Sequence, residues 1–335
     1  MPIDVHAHYV PQTILQTLDD KACEFGLSMV RHPPSCSCAI HFDYGPKVRP
    51  FFPKLVEDVS ARLDGMAAQG VDRQVLSMWA DIFGYGLPRP EARRWHRYLN
   101  EHMAALCQSH PRHFSMLGSL PLGHPDDAAA ELDYVVRQLG AVGGVVAANV
   151  EGVNLGELPL DPVWQAAVEL NVPIFIHPVQ AQPNARTARF ALSQIAQYTF
   201  DTTLCVGSLI FSGVMDRFPT LRLLLSHGGG TFPYLTGRFD VMHARMDRAG
   251  QGDVAQHQPS DYLRRFWYDS IVHDPAILRW LAERVSVERV VLGSDDSFPP
   301  ADRDPVATVR QAGFTDAEFD AITEANPRIL FPLLA

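Results

Sequence analysis

Ile3-Asp4-Val5-His6-Ala7-His8 begins almost at the initiator Met and reads as a β-strand. His6 and His8 stand at i and i+2, so on a strand both imidazoles point to one face, a geometry suited to a shared metal ion. With 14 His in 335 residues, roughly 0.6 His-x-His pairs arise by chance, so the pair is weak evidence alone. The residues after it are more telling. A doubly wound sheet would place a glycine-rich phosphate loop behind its first strand, and none succeeds His8.

Working outward from that run, short apolar stretches recur along the chain. Val71 to Met78, Phe114 to Leu120, Gly144 to Val150, Pro173 to His177, Leu221 to Ser226, Phe266 to Asp269 and Val290 to Gly293 make eight strands with the first. Helices are expected between them over Val56 to Gln69, Glu91 to Ser109, Pro125 to Leu139, Asp161 to Glu169 and Pro275 to Arg284, several opening on Asp or Pro. Alternating strands and helices on this scale predict an α/β fold, a (β/α)8 TIM barrel, with residues 1–335 as one domain. Residues 20–53, with Pro33-Pro34 and Phe51-Phe52-Pro53, break the rhythm and read as an insertion after strand one, a small antiparallel flap. Residues 186–218 read as extra helices between strands five and six.

Three later strands end as the first does. His177 closes Val172-Pro-Ile-Phe-Ile-His, His227 closes Leu223-Leu-Leu-Ser-His before Gly228-Gly229-Gly230, and Asp295 follows Val290-Val-Leu-Gly-Ser. In β/α barrels the carboxyl ends of several strands supply the catalytic groups. Imidazoles and a carboxylate together suit zinc first and manganese as the alternative, with a position left for water or substrate.

Composition removes other classes of function. The net charge of −10 and a pI near 5.7, without a Lys/Arg stripe, exclude a nucleic-acid footprint. No basic n-region precedes an apolar segment and no run of about 18 apolar residues occurs, so neither export nor a membrane is expected. Five scattered cysteines suit a reducing, cytoplasmic setting. Cys36-x-Cys38 with His41 lacks the further ligands of a structural zinc site.

Ile3-Asp-Val-His-Ala-His8, Phe175-Ile-His-Pro178, Leu225-Ser-His-Gly-Gly-Gly230, Phe266-Trp-Tyr-Asp-Ser-Ile-Val-His-Asp274 and Val291-Leu-Gly-Ser-Asp-Asp-Ser-Phe-Pro299 resemble, in order, the sequence blocks of the amidohydrolase-related family. The resemblance implies that His6, His8, His177 and Asp295 bind one divalent metal. It makes His227 the acid/base; were the reaction hydrolytic, His227 or Asp295 would take the proton of a metal-bound water. It also implies that Arg238 reaches a substrate carboxylate across a homodimer interface, with Arg49 as a second substrate-binding arginine. Binuclear members use a lysine in mid-barrel, whereas Lys21, Lys47 and Lys54 all precede strand two, which favours a mononuclear site.

The implied activity is metal-dependent, non-oxidative decarboxylation of an aromatic or dienic (muconate-semialdehyde-like) carboxylic acid. Hydrolysis of an ester, amide, lactone or C–C bond on the same site is the rival, and a silent scaffold would show gaps in the ligand set. Trp79, after strand two, and Phe298 are expected to wall the substrate pocket. Asp296 stands where the family carries a tyrosine and is expected to cap a helix, with a pocket role as the alternative.

Overall fold

The apolar runs pair as parallel strands: β1 (Ile3–His8), β2 (Arg73–Ser77), β3 (Phe114–Ser119), β4 (Gly143–Ala147), β5 (Ile174–His177), β6 (Leu223–Leu225), β7 (Trp267–Asp269) and β8 (Val290–Val291). They are neighbours in that order. The computed structural model describes residues 1–32, 37–179, 185–249 and 255–334. The sheet closes where Val5 N–H donates to Leu292 O at 2.9 Å and where Ala7 pairs in parallel with Asp296, completing the (β/α)8 barrel.

Each strand is covered by the barrel interior on one side and by helices on the other, so its apolar character is continuous. Leu223, Leu224 and Leu225 are all 0% exposed, which is why β6 carries no alternation. The helices keep one apolar stripe. Arg89–Ser109 turns Ala92, Trp95, His96, Leu99 and Met103 inward at three- and four-residue spacing. Asp274 caps Pro275–Val285, its carboxylate accepting from Ala276 N–H at 2.8 Å, with proline in the first turn where no donor is needed. One contiguous hydrophobic core joins the strands to these helices.

Several strands are shorter than their apolar runs. β8 ends at Val291: Leu292 N–H donates to Ile322 O at 3.1 Å rather than to a strand, and the chain then enters a left-handed turn with Asp295 at φ 56°. The stretch after β1 is a helix, Gln12–Lys21, followed by the antiparallel pair Leu27–His32 and Ser37–Phe42. Cys36 lies outside the described residues. The segment after the pair continues the ladder, with Val48 N–H donating to Ile40 O and Phe51 N–H to Cys38 O, both at 2.9 Å. Val48 and Phe51 are buried while Arg49, between them, is half-buried and lines the cavity at the barrel mouth. Between β5 and β6 lie helices Tyr198–Phe211 and Val214–Arg217. Among the described residues, no helix is long and apolar enough to cross a membrane.

Candidate active site and metal centre

β1, β5 and the turn after β8 bring His6, His8, His177 and Asp295 together, one ligand atom from each lying within 4.8 Å of the others. Asp295 Oδ1 stands 3.1 Å from His6 Nε2, 3.2 Å from His8 Nε2 and 3.9 Å from His177 Nε2. Neither ring nitrogen of His177 makes a hydrogen bond, nor does Asp295 Oδ1, although all are buried. Unpaired buried donors and acceptors are costly, and a cation between His177 Nε2 and Asp295 Oδ1 would satisfy both of those atoms. The residues therefore fit a divalent metal ion and form a metal-binding site.

The outer nitrogens are held in a way that favours this. His6 Nδ1 lies 2.6 Å from Asp269 Oδ2. His8 Nδ1 lies 3.0 Å from Ser77 Oγ, whose own proton points to Ala7 O. Fixing Nδ1 as the protonated nitrogen leaves Nε2 free as a metal ligand. Electrostatics follow the same geometry. Burial opposes charge on His6, yet Asp295 and Asp269 beside it carry its pKa up to about 10. Burial takes His8 down to about 4, and burial with His8 nearby holds His177 below the usual imidazole range. Asp295 is buried, but His6, His177 and His227 keep it ionised, well below the ordinary carboxylate range. The positive charge on His6 balances these carboxylates, a role a bound cation would take over.

His227 sits on the loop after β6, its Nε2 3.6 Å from Asp295 Oδ2. Its φ is 54°, in the left-handed region, as is that of Asp295. Such backbone costs on the order of 1 kcal/mol or more per residue and is held by neighbouring contacts. Here Asp269 accepts from His227 N–H at 2.9 Å and Gly228 N–H at 2.8 Å, while Asp295 N–H donates to His6 O at 2.8 Å. Gly230 is required as well, since a Cβ there would meet Thr199 O at 2.2 Å. The turn thus presses the loop against helix Tyr198–Phe211 and aims the imidazole into the cavity.

The cavity above these residues has a volume of about 610 Å³. Trp79 and Phe298 form one wall, with ring centroids 6.2 Å apart and Phe298 4.8 Å from His8. Arg49 also reaches it, its guanidinium 5.4 Å from the Trp79 ring and 4.7 Å from Phe52. Arg238 is placed elsewhere. It is exposed on helix Phe232–Ala249 and lines a separate apolar groove with Phe200, Leu204, Phe239 and Met242.

Asp296 caps no helix, contrary to the expectation from sequence. It is 3% exposed and ion-paired with Lys54 and, at 3.3 Å, with Arg62 Nη1. Pairing with Ala7 across the barrel seam draws it inward, away from any helix start. Asp269 escaped sequence reasoning, although it closes Phe266-Trp-Tyr-Asp269 just as the ligands close their own strands. Ser77, at the end of β2, carries the same signal. Asp81 and Tyr198 also line the cavity, and no local pattern marks them, because one lies in a single 3-10 turn after β2 and the other on an extra helix.

The amidohydrolase family profile matches residues 3–333. A 2-amino-3-carboxymuconate-6-semialdehyde decarboxylase from Dictyostelium discoideum is 31% identical over 330 residues, covering 97% of this chain and 89% of the relative. The solved 5-carboxyvanillate decarboxylase of Sphingomonas paucimobilis superposes with a TM-score of 0.81 at 24% identity, covering 99% of this chain and 98% of that one. A 5-carboxyvanillate decarboxylase from Novosphingobium aromaticivorans, solved with bound manganese and 3-methoxy-4-hydroxy-5-nitrobenzoic acid, gives 0.82 at 19% identity over 99% and 97% of the two chains. With its ligand set complete at the barrel mouth and a profile match over nearly every residue, the chain belongs to the amidohydrolase family.

Proposed function

We infer that this protein is a metal-dependent decarboxylase of an aromatic or dienic carboxylic acid. The observation that carries it is the shared cavity: His177, Asp295 and His227 lie at its floor, aromatic rings form its wall and a polar group closes its far end. The decarboxylases to which the chain is similar support the same reading.

A divalent ion held by His6, His8, His177 and Asp295 would bind the substrate carboxylate and polarise the ring or diene that bears it. Zinc and manganese both suit these donors, and the manganese-bound neighbour favours manganese. His227 delivers a proton to the carbon that carries the carboxylate. The C–C bond to that carboxylate then breaks, its electron pair returns to the π system, and CO2 leaves. Asp295, ionised beside His227, helps hold the imidazolium in place until transfer. Solvent restores the proton to His227. Trp79 and Phe298 orient the ring, and no electron enters or leaves.

We further propose a cytoplasmic homodimer. The groove around Arg238 is apolar, with Phe200 51% and Leu204 59% exposed, and a second copy seated there would bring Arg238 to the partner's substrate carboxylate. Light scattering should then give twice the chain mass.

The test of the reaction is a panel of hydroxybenzoates and muconate semialdehydes given to manganese-loaded enzyme in D2O. One CO2 and one organic product, with deuterium at the vacated carbon, is the expected outcome. Two organic fragments would establish hydrolysis instead. His227→Ala should lower kcat by about 10²–10⁴-fold with metal content unchanged. Undiminished turnover would remove His227 from the proton step.

A further inference from the structure

The far end of the cavity carries more information than the family fold requires. Arg49 Nη2 lies 3.5 Å from Asp81 Oδ2 and 3.3 Å from Tyr198 Oη. The Asp81 side chain is only 11% exposed and that of Arg49 29%. Arg49 Nε is buried without a hydrogen-bond partner. Burial, together with the nearby Asp81 charge, pushes the Tyr198 hydroxyl above its ordinary pKa, so it stays a neutral phenol and a donor.

An arginine facing an open cavity would grip a second substrate carboxylate with a two-pronged pair. This arginine is already balanced. Asp81 cancels its charge, the Phe52 and Trp79 faces occupy the guanidinium, and a carboxylate entering here would meet Asp81 as a like charge. A hydroxyl or amino group meets no such opposition. It would donate to Asp81 and accept from the Tyr198 hydroxyl, whose oxygen already accepts from Arg49.

We propose that Asp81, Arg49 and Tyr198 form the specificity pole of the site and select an aromatic monocarboxylic acid bearing a remote hydroxyl or amino group, discriminating against a second carboxylate. This rests on the decarboxylase reading for the orientation of the substrate, with its reacting carboxylate at the metal end. Asp81 acts by charge: it accepts one hydrogen bond and neutralises Arg49. The wall from His8 through Phe298 and Trp79 to Arg49 spans the space between the two ends.

Calorimetric titration of manganese-loaded enzyme with matched ligands reads the pole without requiring turnover. The pairs are 3-hydroxybenzoate against benzene-1,3-dicarboxylate and 4-hydroxybenzoate against benzene-1,4-dicarboxylate. The wild type should bind the hydroxyl member of at least one pair more than about tenfold tighter. Asp81→Asn, which keeps size and removes the charge, should narrow or invert that ratio by about tenfold or more. Tighter dicarboxylate binding by the wild type would overturn the proposal. So would an unchanged ratio in an Asp81→Asn protein that melts cooperatively, and if that variant does not fold, the wild-type ratio decides alone. CO2 release is measured in parallel. A clear hydroxyl preference with no CO2 from any ligand in either panel overturns the reaction and leaves the pole standing, whereas faster CO2 release from dicarboxylates overturns the pole and leaves the reaction.

Discussion

The floor of the site, at the ends of β1, β5 and β8, and its far wall, built from the insertion, the turn after β2 and the helix after β5, are held by opposite means. On the floor His6 and His8 are 0% exposed and each outer nitrogen meets a fixed partner within 3.0 Å. On the wall Arg49 touches Asp81 and Tyr198 at 3.5 and 3.3 Å, stacks on aromatic faces and keeps 29% of its side chain exposed. Short, buried contacts on rigid strands preorganise ligands for an ion of fixed size. Longer contacts on loops and added helices leave room for a substrate to settle, and allow one barrel floor to serve different substrates.

The largest expected effect comes from breaking the floor. His177→Ala removes a ligand whose nitrogens have no other partner, so bound metal should fall from about one ion per chain to well below that, with activity lost. Elemental analysis after dialysis checks it, and full metal occupancy in the variant would remove His177 from the ligand set. A smaller effect is expected one residue further from the ion. Asp269→Asn keeps the shape but cannot serve His6 Nδ1 and the His227 and Gly228 amides as an anion does. Metal affinity should drop by roughly 10–100-fold while the barrel stays folded. Unchanged affinity, read by competition with a metal-sensitive dye, would reduce Asp269 to a strand-loop tie and weaken the contrast between floor and wall.

The same contrast explains what could be read from the chain. The floor was legible because each ligand closes an apolar strand, and strand ends in a barrel converge without any knowledge of loop paths. Helix Asp161–Glu169 agrees with its sequence pattern to the residue, since a leading Asp-Pro marks its start. Asp269 obeyed the strand-end rule as well and was missed because it holds His6 Nδ1 rather than joining the ligand cluster. Asp296 was misread because its neighbours Lys54 and Arg62 are more than two hundred residues away and meet it only when the seam between β1 and β8 closes. Asp81 and Tyr198 were illegible for a deeper reason. Asp81 sits in a single helical turn after β2 and Tyr198 on an extra helix, and no periodicity encodes how these lie across the barrel mouth.

The smallest effect sharpens the comparison from the side of the wall. Asp201 lies on helix Tyr198–Phe211, one turn beyond Tyr198, and its Oδ2 is buried without a hydrogen-bond partner. Burial pushes its carboxyl up from 3.8 to about 6. The folded chain therefore holds this proton to higher pH than the unfolded chain does. Stability from this group is complete below about pH 4, falls as pH rises toward about 6, and stays low above that. Asp201→Asn removes the charge whose burial is unfavourable. Because the side chain is partly solvated, the gain should be only about 1 kcal/mol, a Tm increase of roughly 2–4 °C at pH 8 that fades toward pH 4. Paired melting curves at the two pH values read it directly. A Tm difference equal at both would mean the carboxylate is not strained by burial. The expected result, a more stable helix with metal affinity untouched, would show the wall to be adjustable independently of the floor.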